Sequence, residues 1–304
     1  MSRLPLKPLK IAKVVGEVKA QAGEPGRVLV VGKEAGGVSS VGEVLGQGAA
    51  PAVSRNMVQT AVFDGDGMAS MRAGGAAVVI VVAPTSELTS QWLRTGLAQL
   101  AAGGARLVLV LSRAPGVEVS LPAAGIGPKQ VVCIAPDGRL PAEVLAEAVV
   151  EAAGDVAVAL AAQLPSLREA SCRQLIRRTA RQNGLIGALF FIPGTDMPVM
   201  TLNEARLVLR IAAIYGEDIG TERALEILSV VGGGFGFRAV ARQALDLLPG
   251  PGWVIKSGVA YGGTVAVGRA AIAYFEGPVR MTPTRLSPYL SPLLEKIKKL
   301  KSQA

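Results

Sequence analysis

Five short apolar runs rich in β-branched residues recur along the first half of the chain, and they constrain its fold more than any other feature. They lie at residues 27–32, 60–64, 76–83, 106–111 and 130–134. Residues 88–102 and 141–153 have the composition and spacing of helices. Strands that alternate with helices are typical of a doubly wound, mostly parallel sheet. We therefore predict an α/β domain over residues 25–155.

The second half contains no convincing strand. Ser166–Glu169 and Thr201–Glu204 both have the capping-box pattern that starts helices. Apolar glycine-rich segments follow, and this composition predicts an all-α, glycine-rich domain over residues 156–280. A basic arm over residues 1–24 precedes the two domains. We predict a proline-containing linker and a basic C-terminal helix over residues 281–304.

The net charge of +9 is concentrated in the second half. Residues 1–155 carry 14 Lys and Arg against 13 Asp and Glu, whereas residues 156–304 carry 18 against 10. A basic excess in one domain indicates an anionic partner, either a lipid surface, an acidic protein or nucleic acid. A solvated surface that keeps the protein soluble is the alternative.

Several chemistries are excluded by composition. The chain has no His, which excludes Ser-His-Asp catalysis, Cys-His catalysis and His-ligated metal sites. Its two cysteines, Cys133 and Cys172, imply no disulfide framework and fit a reducing cytoplasm. No uncharged apolar stretch reaches the length of a spanning helix, because the longest candidate, residues 253–275, contains Lys256 and Arg269. We predict neither a catalytic residue nor a metal site.

The first strand is followed by a pattern that resembles a phosphate-binding loop. In G-x-x-x-x-G-K-[ST], the glycines fall at Gly32 and Gly37 and the hydroxyl at Ser39, but the lysine position is Val38. That lysine is the cation that contacts the β and γ phosphates. Lys33 lies elsewhere in the loop. The pattern predicts a degenerate GTPase-like domain in which GTP with Mg²⁺ is not bound.

Two further GTPase elements can be compared. Asp64 to Gly67 has the form D-x-x-G after the second strand, as at a Mg²⁺ and γ-phosphate site. After the fourth strand, where N-K-x-D would read guanine, the chain has Ser112-Arg-Ala-Pro115. The degenerate nucleotide-binding set predicted from the sequence is therefore Gly32, Lys33, Gly37, Ser39, Asp64 and Gly67.

The second half resembles the uncharacterised domain family numbered 697. The resemblance lies in residues 190–206, 209–216, 232–238 and 249–256, which occur in order within residues 166–276. It implies that the domain follows a GTPase domain and that the protein associates with membranes. It implies no activity, because the family pattern supplies no catalytic residues.

Small residues and cations suggest how the helical domain makes contacts. Gly232 and Gly236, like Gly258 and Gly262, are four residues apart, a spacing that lets helix backbones approach closely. We predict helix packing at these glycines, either within the domain or at a membrane or homo-oligomeric seam. The predicted contacts with an anionic membrane are Arg173, Arg177 and Arg181, which share one helix face, and Lys296, Lys298, Lys299 and Lys301 in the tail.

These patterns favour a non-catalytic regulatory or scaffold protein. Its pseudo-GTPase domain would bind a protein partner, and its helical domain would attach peripherally to the cytoplasmic face of the inner membrane. An atypical nucleotide-binding NTPase, in which Lys33 or a partner's cation replaces the missing lysine, is the first alternative. A nucleic-acid-binding protein is the second, although the chain has few aromatics for stacking.

Overall fold

A computed structural model describes residues 8–23, 26–63, 74–112, 124–134, 138–189, 197–232 and 252–277 of the 304-residue chain. The described residues form two compact units. The α/β unit comprises those within residues 20–174 and 214–216. The helical unit comprises those within residues 8–19, 175–213 and 217–277.

The α/β unit is built on a five-stranded sheet in the order β2-β1-β3-β4-β5, and every pair of neighbouring strands is parallel. The strands are β1 (Val28–Gly32), β2 (Val58–Val62), β3 (Val78–Pro84), β4 (Leu107–Ser112) and β5 (Val131–Cys133). The apolar runs predicted all five strands, because strands covered on both faces have few positions for polar side chains. The doubly wound, parallel architecture predicted from the sequence is confirmed.

Helices cover both faces of this sheet. On one face, Leu93, Leu97 and Leu100 pack with Val81 and Leu109 in a continuous core. On the other face, two helices carry buried rows that include Val41 and Leu145. The helices of the unit are α2 (Ala35–Gly46), α3 (Pro51–Met57), α4 (Gln91–Ala102), α5 (Ala142–Ala153) and α6 (Ala157–Gln163), and the first residues of α7 (Arg168–Leu189) complete it.

The helical unit contains helices alone within the described residues, as the sequence predicted. It consists of α1 (Pro8–Gly23, to Lys19), α7 from residue 175, α8 (Met197–Ile214, to Ala213), α9 (Thr221–Gly232) and α10 (Gly252–Glu276). The basic N-terminal arm is mostly helix α1, which buries Ile11, Val14 and Val18. Glu17 of this helix accepts a hydrogen bond of 3.0 Å from Nε of Arg206 in α8.

Neither capping box forms. Helix α8 begins at Met197, so Thr201 and Glu204 lie inside it rather than at its start. Ser166 lies in a short 3₁₀ turn, Pro165–Leu167, and its hydroxyl donates to the carbonyl of Leu45 at 2.6 Å. Both hydroxyl–carboxylate pairs are therefore available for other interactions, and Glu204 takes part in one that the sequence did not predict.

Candidate functional site

The carboxyl ends of the parallel strands define the first candidate site. In a sheet of order 2-1-3-4-5, the strand order reverses between β1 and β3, and ligands bind beside this point, outside the carboxyl ends of the strands. Lys33 follows β1 here, Phe63 follows β2, and Thr85 follows β3. The Thr85 hydroxyl donates to the carbonyl of Ser112 at the end of β4, at 2.9 Å. This edge is where a nucleotide would have to bind.

The segment that matches a phosphate-binding loop is largely helical. Helix α2 begins at Ala35, only three residues after the end of β1, and Glu34 is its extended N-cap residue. The backbone N–H of Val38 donates to the carbonyl of Glu34 at 3.1 Å. A phosphate loop instead wraps its N–H groups around the phosphate oxygens. The Val38 N–H, at the position of the lysine, is already used inside the helix.

The lysine position belongs to the core. The Val38 side chain is only 1% exposed. A Cβ added at Gly32 would lie 2.9 Å from Cγ2 of Val38 and 2.7 Å from the carbonyl oxygen of Val82. Gly32 is therefore needed for the close approach of β1, β3 and α2. Because position 38 points into this contact, a lysine there would bury its charge rather than reach a ligand.

Lys33 is engaged in a different cluster. Its Nζ lies 4.3 Å from the centroid of the Trp92 ring, a cation–π distance. The Trp92 ring meets Phe63 edge to face, with centroids 5.5 Å apart, and its indole N–H donates to the Glu87 carboxylate. That hydrogen bond lowers the pKa of Glu87 below its ordinary value, with smaller contributions from Ser90 and the Lys33 charge.

The other predicted nucleotide residues do not complete a site within the described residues. Gly37 lies inside α2, where an added Cβ would be 3.0 Å from Cγ1 of Val82. Ser39 is exposed on the same helix. Asp64 and Gly67 lie outside the described residues, so the position of the D-x-x-G element stays a prediction.

The arginine row of α7 divides into two kinds of residue. Arg173 forms ion pairs of 2.7 Å with Glu143, 2.8 Å with Glu147 and 2.6 Å with Glu169. The hydrogen bonds that Arg173 donates to Glu143 and then to Glu169 raise the pKa of Arg173. Its charge is more than balanced within the α/β unit, so Arg173 joins α7 to α5 and is a poor contact for an anionic surface.

Arg177 and Arg181 differ from Arg173. Both are exposed, and neither forms an ion pair with any residue that the structure describes. The structure therefore leaves two of the three predicted arginines available to an external anion. The predicted tail cations Lys296, Lys298, Lys299 and Lys301 lie outside the described residues.

Within the described residues, helices pack tightly at two glycines that the sequence did not single out, while packing at a membrane or homo-oligomeric seam through the predicted glycines stays a prediction. Gly258 and Gly262 are exposed, and a Cβ added at either would meet no atom within 4 Å among the described residues. A Cβ at Gly268 would instead lie 2.4 Å from Cγ1 of Ile176, and one at Gly184 would lie 3.5 Å from Cβ of Tyr261. Helices α7 and α10 therefore approach closely through Gly184 and Gly268. Gly232 ends α9, and Gly236 lies outside the described residues.

A buried polar cluster joins α7, α8 and α10, and the sequence did not predict it. The Asn183 amide donates to the Thr264 hydroxyl at 2.9 Å, and the Asn203 amide donates to Oδ1 of Asn183 at 2.9 Å. The Thr264 hydroxyl lies 3.1 Å from a carboxylate oxygen of Glu204 and 2.8 Å from the carbonyl of Ala260. Glu204 is 1% exposed. Such a connected network fixes the register of the helices that supply it.

The described residues contain neither a metal-binding cluster nor a membrane-spanning helix. No group of three or more Cys, Asp or Glu side chains there is arranged to hold a metal ion. No described helix combines the length and the apolar character that crossing a membrane requires.

The fold and the site thus define a two-unit protein, with a parallel α/β unit and a helical unit that carries exposed cations. Residues 152–298, slightly less than half of the chain, match the model of a domain of unknown function, DUF697. The match covers α6 to α10 and supports the resemblance noted in the sequence. No curated protein and no solved structure matched the chain.

Proposed function

We propose that this protein is a non-catalytic regulatory or scaffold protein. Its α/β unit is a pseudo-GTPase that binds a protein partner without using nucleotide, and its helical domain attaches peripherally to anionic membrane. The observation that carries the first part is the burial of Val38 at the position where a phosphate-binding loop places its lysine. A cation at this position would be inside the core, so the framework is built without a phosphate contact there.

The geometry of the preceding residues supports the same proposal. A phosphate cradle needs several free N–H groups in a loop. Helix α2 starts at Ala35 and takes up the intervening segment, and Glu34 places a carboxylate at its N-terminus. A carboxylate near a helix N-terminus interacts favourably with the helix dipole, and its negative charge disfavours a phosphate there.

An atypical NTPase in which Lys33 replaces the missing lysine has weaker support. The Lys33 ammonium lies over the Trp92 ring and is attracted by Glu87. Moving it to a phosphate would break a cation–π contact of about 0.5–1 kcal/mol and separate it from a carboxylate. The observed cluster therefore favours a structural role for Lys33.

Peripheral attachment is supported by the distribution of charge. The second half of the chain holds the basic excess, and Arg177 and Arg181 are exposed. Each cation near an anionic lipid surface contributes about 1 kcal/mol of attraction, which salt screens over about 10 Å at 0.1 M. No described helix is suited to crossing the membrane, so the proposal is surface binding.

The pseudo-GTPase part is tested by titrating the full chain with a fluorescent GTP analogue, with and without Mg²⁺. We expect no saturable binding at micromolar concentrations. Circular dichroism of the same sample serves as the control that the protein is folded. Saturable, Mg²⁺-dependent binding in this range would overturn the pseudo-GTPase proposal and favour the atypical NTPase.

The membrane part is tested separately by flotation of the full chain with lipid vesicles. We expect co-flotation with vesicles rich in anionic lipid, none with neutral vesicles, and release as NaCl is raised. Folded protein that remains in the soluble fraction at low salt would contradict peripheral attachment. The basic charge would then serve an acidic protein or nucleic acid.

A further inference from the structure

Helices α7 and α10 form an antiparallel pair within the helical unit. Along this pair, Ile176 meets Gly268, Asn183 binds Thr264, and Gly184 meets Tyr261. Through these contacts the residue numbers rise along α7 and fall along α10, so the two helices run in opposite directions. Arg177 on α7 and Arg269 on α10 are therefore at similar heights, at the opposite end of the pair from Tyr261.

Apolar side chains are exposed at one end of this pair. Leu185 is 61% exposed, the highest value among the exposed large hydrophobic residues of the structure's described part, and Tyr261 is 40% exposed. Leu185 directly follows Gly184, where an added Cβ would lie 3.5 Å from Cβ of Tyr261. Gly258 and Gly262 flank Tyr261 on the exposed face of α10, and neither has a side chain that covers the ring. Tyrosine has an apolar ring and a polar tip, which suits the boundary between lipid and water.

Exposed cations lie on the same side of the helix pair as these apolar groups, on both helices. Arg181 and Arg177 precede Gly184 by three and seven residues, so they lie on the same side of α7 as the contact with Tyr261. Arg269 follows Tyr261 by eight residues and is exposed on the corresponding side of α10. None of the three forms an ion pair within the described part of the chain.

This side of the helix pair points away from the buried polar cluster. Asn183 and Thr264 turn towards Asn203 and Glu204 of α8. At about 100° per residue, Arg181 and Leu185 lie more than a quarter turn around α7 from Asn183. Tyr261 and Arg269 are rotated around α10 from Thr264 towards the same side of the helix pair as Arg181 and Leu185. The two exposed rows thus form one continuous surface that is both basic and apolar.

We propose that this surface, which we name the α7–α10 face, docks on an anionic lipid bilayer. It consists of Arg177, Arg181, Leu185, Tyr261 and Arg269. The inference rests on the peripheral attachment proposed above and adds the face and the side chains that make it. The arginines pair with lipid phosphates, while Leu185 and Tyr261 enter the boundary between head groups and acyl chains. Charge complementarity favours an anionic bilayer over a neutral one.

The test uses the full chain and vesicles with and without anionic lipid, and it measures the fraction that co-floats as lipid concentration rises. Arg177→Gln/Arg181→Gln should weaken partitioning into anionic vesicles roughly thirty-fold, since each cation contributes about 1 kcal/mol. Leu185→Ser should weaken it on the order of ten-fold, and this loss should persist at high salt because the lost contribution is burial of apolar surface. Tyr261→Ser, which removes the ring, should also weaken partitioning, and this loss too should persist at high salt.

Matched controls come from exposed residues of the α/β unit. Arg94→Gln removes an exposed cation from α4, and Val144→Ser removes a side chain that is 47% exposed on α5. Both should change partitioning less than three-fold, since neither lies on the α7–α10 face. Circular dichroism of every variant confirms that the helices are retained, as expected for substitutions at exposed positions.

Two results would overturn the inference, and they can be told apart. If the wild type floats with anionic vesicles but the face variants bind as well as the controls do, another surface attaches to the membrane and peripheral attachment itself stands. If the folded wild type does not float at low salt, both the α7–α10 face and peripheral attachment are wrong.

Discussion

Two glycines of the same helix are expected to respond in opposite ways to the same substitution. Gly262 and Gly268 lie six residues apart in α10. A methyl group at Gly262 meets nothing within 4 Å among the described residues, whereas one at Gly268 would lie 2.4 Å from Cγ1 and 2.7 Å from Cδ1 of Ile176. Gly262→Ala should therefore stabilise the helical unit, and Gly268→Ala should destabilise it.

The expected changes in the free energy of unfolding follow from helix propensity and from steric overlap of the new methyl group with Ile176. Alanine is favoured over glycine inside a helix by about 1 kcal/mol, so Gly262→Ala should raise the free energy of unfolding by up to that amount. At Gly268 the same gain is opposed by overpacking, which costs about 1–3 kcal/mol. The overlap is severe because carbon atoms pack best at about 3.5–4.0 Å. We expect a net loss of about 2 kcal/mol for Gly268→Ala, and a difference of about 3 kcal/mol between the variants.

The assay is urea unfolding of the full chain, followed by far-ultraviolet circular dichroism. Ile176→Ala removes both atoms that the new methyl group would strike, so it should cost less in the Gly268→Ala background than in the wild type. We expect a coupling energy of at least about 1 kcal/mol between these positions. Equal stability of Gly262→Ala and Gly268→Ala, with no coupling to Ile176, would refute the close contact between α7 and α10.

Three further predictions concern polar interactions. Arg173→Met leaves the glutamates of its cluster without their shared cation, so unfolding in urea should show a loss of about 1–2 kcal/mol that shrinks in 1 M NaCl. Thr264→Val removes the hydroxyl that Asn183 and Glu204 contact, and the same assay should show a loss of about 1–3 kcal/mol. Because its folded pKa is lowered, Glu87 stabilises the protein above its unfolded pKa, and this is lost as pH falls through the folded value. Trp253→Phe removes the other of the two tryptophans, so that fluorescence reports on Trp92 alone. In this background the fluorescence should titrate with a midpoint below the ordinary Glu pKa of 4.5. Glu87→Gln should abolish the transition.

The sheet could be predicted from the sequence because its strands are buried. The strands β1, β3 and β4 are nearly continuous apolar runs. Helices cover both faces of the sheet, so these strands have few positions for polar side chains. The prediction was least accurate at β2, which spans Val58–Val62 rather than residues 60–64. It is an edge strand, and its exposed Gln59 does not mark the start of a strand.

The interactions within the helical unit could not be predicted in the same way. Asn183, Glu204 and Thr264 come from three helices far apart in sequence, so no local pattern reports that they meet. A carboxylate and a hydroxyl three residues apart indicated a helix start, but the Glu204 side chain binds across the helices instead. The partners of a polar residue inside a bundle depend on which faces the helices present to each other.

The roles of individual arginines and glycines were hidden for the same reason. Arg173 and Arg177 share a face of α7, yet only Arg173 meets carboxylates from α5. Gly262 and Gly268 occur in one glycine-rich helix, yet only Gly268 faces α7. Spacing along a helix identifies residues that share a face, whereas the neighbour opposite that face is set by the tertiary fold.

The most direct test measures, in one experiment, membrane binding by the helical unit and any response of the α/β unit to nucleotide. The 304-residue chain is floated with anionic vesicles at low salt, in the presence and absence of GTP with Mg²⁺, and its partitioning is compared. We predict binding that is strong, salt-sensitive and unchanged by nucleotide, because Val38 is buried where a phosphate-contacting lysine would be and the cations lie on α7 and α10. Partitioning that GTP raises or lowers several-fold, or the absence of binding by folded protein, would contradict the account.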